Sequence, residues 1–510
     1  MATNISEAKW LNIRGAYILV ALEEHFLNGD AFVHEDEVRR IVTRANPRIN
    51  LDKFYEDFLF LLHEGLICRE GRRVYLRDTL RYEDSAATHL ASILNFNDLY
   101  CPTLPDSITV PGSLPLCSEQ RDALQLVLSH RLSIVLGGAG TGKTSLIRAI
   151  TKFTSSSPGG TVLCAPTGKA ARNLTSKTGM CARTVHSALG VIPDTDFLAP
   201  VCWTDIRLVV VDESSMLTLG MLAGILDRVA GSCRVVLLGD PNQLLSVGSG
   251  NVLPDLLKLN VPHICLKENH RQNKDAAELL ANVVGFSSLR SNSDLTFGES
   301  FSLHCMSDSC ANRSIVAEAV KRYSAGENVQ VLSPYNSATE LSVSKLNRAI
   351  RDLVNPPSPE KLSFEDRFRD GDRVIILRND RTLNCCNGDV GVLRILRNEK
   401  KDVLFRVELP DGRRPTWDNR GGLRDIALAY AITVHKSQGS EYDTILLPIS
   451  DAFGNMRNRN MLYTAISRAR SKVILYGSKN ALSVAIQTPA PERRSQLVAK
   501  CNMVAFKKSA

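Results

Sequence analysis

Long apolar runs are missing from this chain of 510 residues. The one nearest to a membrane span, residues 426–432, has seven residues, against about 20 for a helix that crosses a bilayer. At the N-terminus Glu7 and Lys9 interrupt what would have to be an unbroken apolar segment in a secretory leader. Gly 32 and Pro 21 show no repeat, which excludes collagen-like and low-complexity readings. The 13 cysteines contain no C-x-x-C pair. His304, Cys305 and Cys310 lack a fourth partner at metal spacing, so the thiols read as reduced and mostly buried. With 44% apolar and 23% charged residues, wholesale disorder is excluded too. The expectation is a soluble cytoplasmic protein of roughly three domains with no membrane partner.

What is present is a charge asymmetry. The formal net charge is +8, yet residues 1–100 hold 12 Lys and Arg against 16 Asp and Glu, a net −4. The remaining body is therefore basic, as suits a polyanionic partner. Three Pro-rich stretches divide the chain. Pro102, Pro105, Pro111 and Pro115 form a linker over 101–116, Pro356, Pro357 and Pro359 a second break, and Pro489 with Pro491 opens a basic tail at 481–510. Residues 1–100 read as helices followed by a hairpin, a helical/winged-helix module with Arg69, Arg72, Arg73 and Arg77 on the wing. It reads equally well as a docking module for protein partners or as a DNA-binding one. The linker is expected to be exposed and cleavable, and residues 117–510 to stand alone.

From residue 117 short β-branched runs alternate with helical segments, at 133–136, 161–165, 208–211, 234–238, 329–332, 444–447 and 472–476. That rhythm predicts an α/β fold with parallel sheets covered on both faces. Residues 361–424 break it with Asn387-Gly388 and Asp411-Gly412 turns, which predict a small inserted antiparallel barrel.

Gly137-Gly138-Ala139-Gly140-Thr141-Gly142-Lys143-Thr144 fits G-x-x-x-x-G-K-[ST] between a predicted strand and a predicted helix. In such a loop backbone N–H groups and the helix N-terminus face phosphates. Lys143 reaches the β/γ-phosphates of ATP, and Thr144 is placed for Mg²⁺. Downstream, the apolar run 208–211 ends in Asp212, suited to a second Mg²⁺ contact, and Glu213, suited to orienting and deprotonating a water.

Further motifs follow in order: Ala165-Pro166-Thr167-Gly168-Lys169-Ala170-Ala171, Asp212-Glu213-Ser214-Ser215-Met216, Gly239-Asp240-Pro241-Asn242-Gln243, Thr433-Val434-His435-Lys436-Ser437-Gln438-Gly439-Ser440-Glu441 and Tyr463-Thr464-Ala465-Ile466-Ser467-Arg468-Ala469. With the P-loop, this series resembles the superfamily 1 helicase motif set, and its wording is most similar to the RecD-like (superfamily 1B) DNA helicases.

The resemblance implies two RecA-like P-loop NTPase lobes, at 117–275 and at 276–360 plus 425–480. The first would carry a short hairpin at about 191–206, and 361–424 would be an SH3-like insertion. By resemblance, Gln120 reads the adenine edge, the P-loop through Ser145 cradles the nucleotide, and Glu441 touches the ribose. Gln243 links the γ-phosphate to the DNA site, and Arg271 and Arg468 neutralise that phosphate from opposite lobes. Pro166, Thr167, His186, Thr433 and His435 match the single-strand path, where contacts to phosphates carry no sequence information. After Pro334 the family has glycines, whereas this chain has residues 335–339 as Tyr-Asn-Ser-Ala-Thr. The implied activity is ATP-dependent movement on single-stranded DNA, in the 5′ to 3′ direction, with unwinding of forked DNA. Rivals from other classes are a nucleotide-gated regulatory or assembly subunit of a repair-nuclease or defence complex, and an RNA helicase.

Overall fold

The computed structural model describes all residues except 1–12, 96–103, 106, 107, 110–114, 139, 155–159, 192–200, 202, 230, 232, 269–275, 360, 361, 365, 366, 381, 398–402, 419 and 510, with the backbone alone at 420, 421 and 507–509. The hairpin expected at about 191–206 lies largely outside the described residues, as do Ala139 and Arg271.

The chain opens with α1 (Ala16–Leu27), β1 (Val33–His34), α2 (Glu35–Ala45), α3 (Leu51–His63), β2 (Ile67–Glu70), β3 (Arg73–Leu76) and α4 (Arg77–Leu94). The three strands form one sheet in the order β1–β3–β2. Phe54, Phe58 and Leu61 recur at helical spacing on α3 and bury one face of it against Ile18, Leu22 and Val74.

A six-stranded, all-parallel sheet follows, in the order β6–β5–β7–β8–β4–β9. Its elements are α5 (Ser118–Ser129), β4 (Leu132–Gly137), α6 (Lys143–Thr154), β5 (Thr161–Ala165), α7 (Gly168–Thr178), β6 (Ala182–Thr184), α8 (Val185–Ala188), β7 (Leu208–Val211), α9 (Leu219–Leu226), β8 (Arg234–Gly239), α10 (Val252–Lys258) and β9 (His263–Leu266). The central strands β4 and β7 are buried at every position, as expected of a strand covered on both faces.

A second parallel sheet, in the order β10–β21–β20–β11–β19, is built from α11 (Ala277–Val284), β10 (Phe301–Cys305), α12 (Asp308–Ser324), β11 (Val329–Ser333), α13 (Val343–Val354), β19 (Ala431–Thr433), β20 (Tyr442–Ile449), α14 (Arg459–Ile466), β21 (Ala469–Gly477) and α15 (Lys479–Gln487). Between α13 and β19 lie β12 (Ser363–Phe364), β13 (Phe368–Arg369), β14 (Arg373–Ile376), β15 (Val390–Arg397), β16 (Val403–Glu408), β17 (Thr416–Trp417) and β18 (Ile426–Leu428). The last five strands, β14–β18, form an antiparallel sheet around Val374, Leu393, Phe405 and Val407. The expected end of this insertion at 424 is three or four residues early. The apolar run 426–432 is two strands, β18 closing the barrel sheet and β19 re-entering the second lobe, and uniform apolarity hid the break.

Three expectations about the flanks are corrected. First, α4 is not peripheral. Its Ala86, Ala87, Leu90 and Ala91 share one core with Leu219, Leu222, Val209 and Leu237 of the first lobe. Second, the tail folds back as α16 (Leu497–Ser509), and Leu497 and Cys501 enter that same core. Lys500 pairs there with Glu70 at 3.1 Å and Asp84 at 2.7 Å, and Arg494 with Glu37 at 2.7 Å. Third, the linker is anchored at two of its described residues, while Pro105, Thr109 and Pro115 are exposed as expected. Ile108 and Leu116 are buried against α5 and α6, and the Leu116 amide donates to the Ile108 carbonyl at 3.0 Å. Among the described residues no helix is long and apolar enough to cross a membrane.

A chain beginning at residue 117 would strip α4 from the first lobe and leave Leu219 and Leu222 facing water, so it should be insoluble or molten rather than an active fragment. In the full chain Leu90→Ala should lower unfolding free energy by about 2–5 kcal/mol, read by denaturant titration. A soluble, cooperatively melting 117–510 fragment would contradict this packing.

Candidate nucleotide cleft and nucleic-acid track

The first sheet turns the carboxyl ends of its strands toward the cleft, the usual position for ligands in open α/β sheets, whereas the second sheet presents the amino ends of β20 and β21, where Glu441 and Arg468 stand. β4 ends at Gly137, and the loop then turns into α6 at Lys143. Gly140 and Gly142 have φ of 86° and 77°, left-handed values that a side chain would oppose. A Cβ at Gly137 would fall 2.5 Å from Thr141 Oγ1. The Lys143 ammonium donates to the carbonyls of Gly137 at 2.6 Å and Gly138 at 2.9 Å, closing over its own loop.

A cleft of about 240 Å³ is lined from the first lobe by Gly140, Thr141, Gly142, Lys143, Thr144, Asp212, Glu213 and Gln243, and from the second by Glu441 and Arg468. Eight of the expected first-lobe residues thus meet two that lie more than 190 residues later. Gln120 stands behind the loop, its Nε2 donating to the Gly142 carbonyl at 3.4 Å. Ser145 and the first two loop glycines are likewise not part of the lining.

Electrostatics in the cleft are unbalanced. Burial, and behind it the Glu213 carboxylate, pushes Asp212 above the ordinary carboxylate range, while the Lys143 ammonium pulls it down. Asp240 is raised by burial, although Tyr463 Oη donates to its Oδ2 at 2.7 Å. Glu213 holds a left-handed backbone, φ 53° and ψ 41°, unusual for a residue with a Cβ. Gln243 Oε1 is buried and accepts no hydrogen bond. Arg468 is 3% exposed and donates to neutral acceptors, the Thr464 carbonyl at 3.2 Å and Ser467 Oγ at 3.3 Å.

These features fit an incoming polyphosphate with a divalent cation. Lys143 and Arg468 face the pocket without a salt bridge to any described residue, and the orphaned Gln243 amide oxygen lies beside them. Thr144 and Asp212 offer hard oxygen donors of the kind that Mg²⁺ takes. Among the described residues no group of three or more His, Cys, Asp or Glu converges, as suits a cation that takes its other ligands from phosphate and water.

The lobes are stitched beside this cleft by residues that motif reading passed over. The Leu244 amide donates to Thr464 Oγ1 at 2.8 Å, and its carbonyl accepts from Gln438 Nε2 at 3.1 Å. Asn460 Nδ2 donates to the Gln243 carbonyl at 2.9 Å. Lys177 of α7 and Arg470 of β21 hold Glu441 at 2.9 Å each, so a ribose contact by Glu441 would share an occupied carboxylate. Thr464, Gln438, Gln243 and Glu441 lie inside the sequence motifs, Leu244, Asn460, Lys177 and Arg470 outside them, and only three-dimensional proximity pairs them.

The expected strand-path residues sit at matching strand ends. Register places Ala165 beside Thr184, so Pro166 and Thr167 emerge next to His186 on α8. In the second lobe Ser333 pairs with Thr433, which brings Thr433 and His435 out beside Pro334. Thr167 and Thr433 cap the following turns, accepting from the amides of Ala170 at 3.3 Å and Lys436 at 3.2 Å. Pro166 is buried and His186 exposed. Burial lowers the His435 pKa, with Arg493 a second cause. The barrel leans on α7: Lys169 Nζ donates to the Gly388 carbonyl at 3.3 Å, and burial lowers its pKa to about 8.

In comparisons with known proteins, residues 115–285 match the AAA domain, 346–407 the ATP-dependent RecD-like DNA helicase SH3 domain, and 428–476 the UvrD-like helicase C-terminal domain. The chain is 32% identical over 450 residues to the ATP-dependent RecD2 DNA helicase of Deinococcus radiodurans. RecD-like DNA helicases are its homologues. That alignment takes in 85% of this chain and 59% of the relative, so the chain spans less than two thirds of that RecD-like protein's length. It is also 29% identical over 422 residues to the RecBCD enzyme subunit RecD of Mycolicibacterium smegmatis, covering 73% of each. A Bacteroides Pif1 helicase crystallised with ADP-AlF3 and ssDNA aligns at 19% identity and a TM-score of 0.46, over 78% of this chain and 97% of that one. The two parallel sheets and the matched domains make two RecA-like lobes carrying an SH3 domain the architecture of this RecD-like chain.

The raised Asp212 has a consequence for stability. A carboxyl whose folded pKa exceeds its unfolded value costs stability as pH rises through the interval between them. Asp212→Asn should therefore melt at or above the parent temperature at neutral pH, with the gap closing below pH 4, while Mg²⁺-dependent nucleotide binding is lost. A lower melting temperature at pH 7 would show that the carboxylate is a structural anchor.

Proposed function

We propose that this chain is an ATP-hydrolysing motor that moves along single-stranded DNA and unwinds forked DNA. The observation that carries the proposal is Arg468 and Lys143 lining one cleft from two separate sheets. On this reading the Lys143 ammonium leaves the Gly137 and Gly138 carbonyls for the β/γ-phosphates, so ligand replaces a self-contact. Glu213, held in its left-handed turn beside Asp212, orients the attacking water and accepts its proton. Thr144 and Asp212 would hold Mg²⁺, which when bound supplies charge neutralisation on the phosphates. Gln243 fills its orphaned oxygen valence at the γ-phosphate side, and Arg468 stabilises charge there when the lobes close. Arg271 takes the complementary position by family resemblance. Direction, 5′ to 3′, likewise follows from the resemblance.

The same reading runs the strand over Pro166, Thr167 and His186 on one lobe and Thr433 and His435 on the other. A change at the phosphate then reaches DNA through Gln243, Leu244 and the lobe-2 groups that grip them. We assign the winged-helix-like module of residues 1–100 to protein contacts rather than to DNA. Arg69 is paired with Glu35 at 3.1 Å, and Arg73 lies over the Phe32 ring at 5.6 Å, so much of the wing's charge is already engaged.

Two substitutions test the motor. Lys143→Ala should abolish DNA-stimulated hydrolysis with unchanged melting, since its head touches only loop carbonyls. Arg468→Ala should bind ATP within about tenfold of the parent, roughly 1.4 kcal/mol, yet lose about 10³-fold in kcat. Steady-state ATPase with no nucleic acid, with single-stranded DNA and with RNA, alongside binding of a fluorescent ATP analogue, reads all of this. Near-parental turnover in a folded Arg468→Ala protein would sink the two-lobe mechanism, and preferential stimulation by RNA would sink the DNA assignment.

A further inference from the structure

After α15 the chain leaves the second lobe and crosses back to the first, and Arg493 lies on that crossing strap. Its Nη1 donates to Ser246 Oγ at 2.9 Å and to the Gly250 carbonyl at 3.0 Å, and its Nη2 to the Ser246 carbonyl. The opposite side of the guanidinium lies so close to Gly29 that a Cβ there would fall 2.2 Å from Nε. The 246–250 loop is also tied to the N-terminal module directly, the Gly250 amide donating to the Gly29 carbonyl at 2.9 Å. Next door the Arg494 amide donates to Asp30 Oδ1 at 2.9 Å. Burial pushes the Arg493 guanidinium down to about 10 with Asp30 opposing, and its charge reaches His435 on the expected strand path.

The position of this junction is what gives it meaning. Only Leu244 and Leu245 separate Gln243 in the cleft from Ser246 under Arg493. Three residue steps of fully extended chain span at most about 11 Å, and Leu244 is held at both backbone groups by the second lobe. Little slack remains, so a displacement at Ser246 must be felt at Gln243. A planar fork that meets several fixed oxygens restricts a loop in a way that a flexible ammonium does not.

We infer that Arg493 is a positioning residue for the coupling of nucleic-acid binding to ATP turnover: it clamps the 246–250 loop between the C-terminal strap and the N-terminal module, and through that loop sets Gln243. The inference rests on the motor reading above and adds to it a residue outside every helicase motif.

The test uses the full-length chain as parent, Arg493→Ala, Arg493→Lys, Ser246→Ala and the Arg493→Ala/Ser246→Ala double variant. Expected for Arg493→Ala is ATPase without DNA within twofold of the parent, but an apparent KM for single-stranded DNA raised at least fivefold. Arg493→Lys should restore less than half of that loss, and the double variant should be no worse than Arg493→Ala alone. Hydrogen exchange should quicken at amides 243–250 and stay unchanged at 140–146. Equal losses with and without DNA together with a lower melting temperature, or unchanged exchange at 243–250, would overturn the inference by making Arg493 a fold-holding residue or a bystander. If the parent itself shows no stimulation by DNA, the motor reading fails and the coupling role with it. Quickened exchange at 243–250 would then show a loop clamp without a motor, which separates the two failures.

Discussion

The backbone of Leu244 is the narrowest point of this molecule. One residue of the first lobe gives its N–H to Thr464 and its carbonyl to Gln438, both in the second lobe. Buried backbone groups must find partners, so the lobes can separate here only if water enters to replace two bonds at once. That constraint keeps Arg468 within reach of a P-loop hundreds of residues earlier, and it places Gln243 between them with an unused oxygen. The cleft is therefore a poised state. It holds Lys143 on its own loop, carboxylates that burial disfavours as anions, and a guanidinium satisfied only by neutral groups. A polyphosphate would answer the two cations, whereas the buried carboxylates, which more negative charge would burden further, call for the divalent cation that accompanies it.

Much of this was legible in the sequence because the central strands of parallel sheets are read twice over, once for each buried face. The runs at 161–165 and 208–211 are strands with those same bounds. What failed to show were the edges. β6, β9 and β10 are short or polar, with residues such as Arg183, His263 and His304 turned outward, so neither an apolar run nor an alternation announced them. At residues 335–339, where family glycines are missing, the backbone still enters the left-handed region at Ala338, φ 85°.

The larger miss concerned the two ends, and the cause was the separation of partners along the chain. Arg494 and Lys500 read as a basic tail because Glu37, Glu70 and Asp84 stand more than 400 residues earlier. The charge asymmetry was a real clue that pointed at the wrong partner: the net −4 of the first hundred residues is matched in part by the chain's own last helix. Pro-rich composition misled in the same way at the linker, where Ile108 and Leu116 outweigh the prolines around them.

That last helix also orders events in time. The first lobe's core includes Leu497 and Cys501, so the lobe made first cannot finish its interior until these residues have been synthesised. At about 5–20 residues per second, the roughly 240 residues between the end of α10 and Leu497 represent on the order of ten to fifty seconds of translation. Throughout that interval α4 and α10 carry an apolar seam that α16 does not yet cover. A growing chain with such a seam is a client for whatever shields nascent hydrophobic surface in its cell.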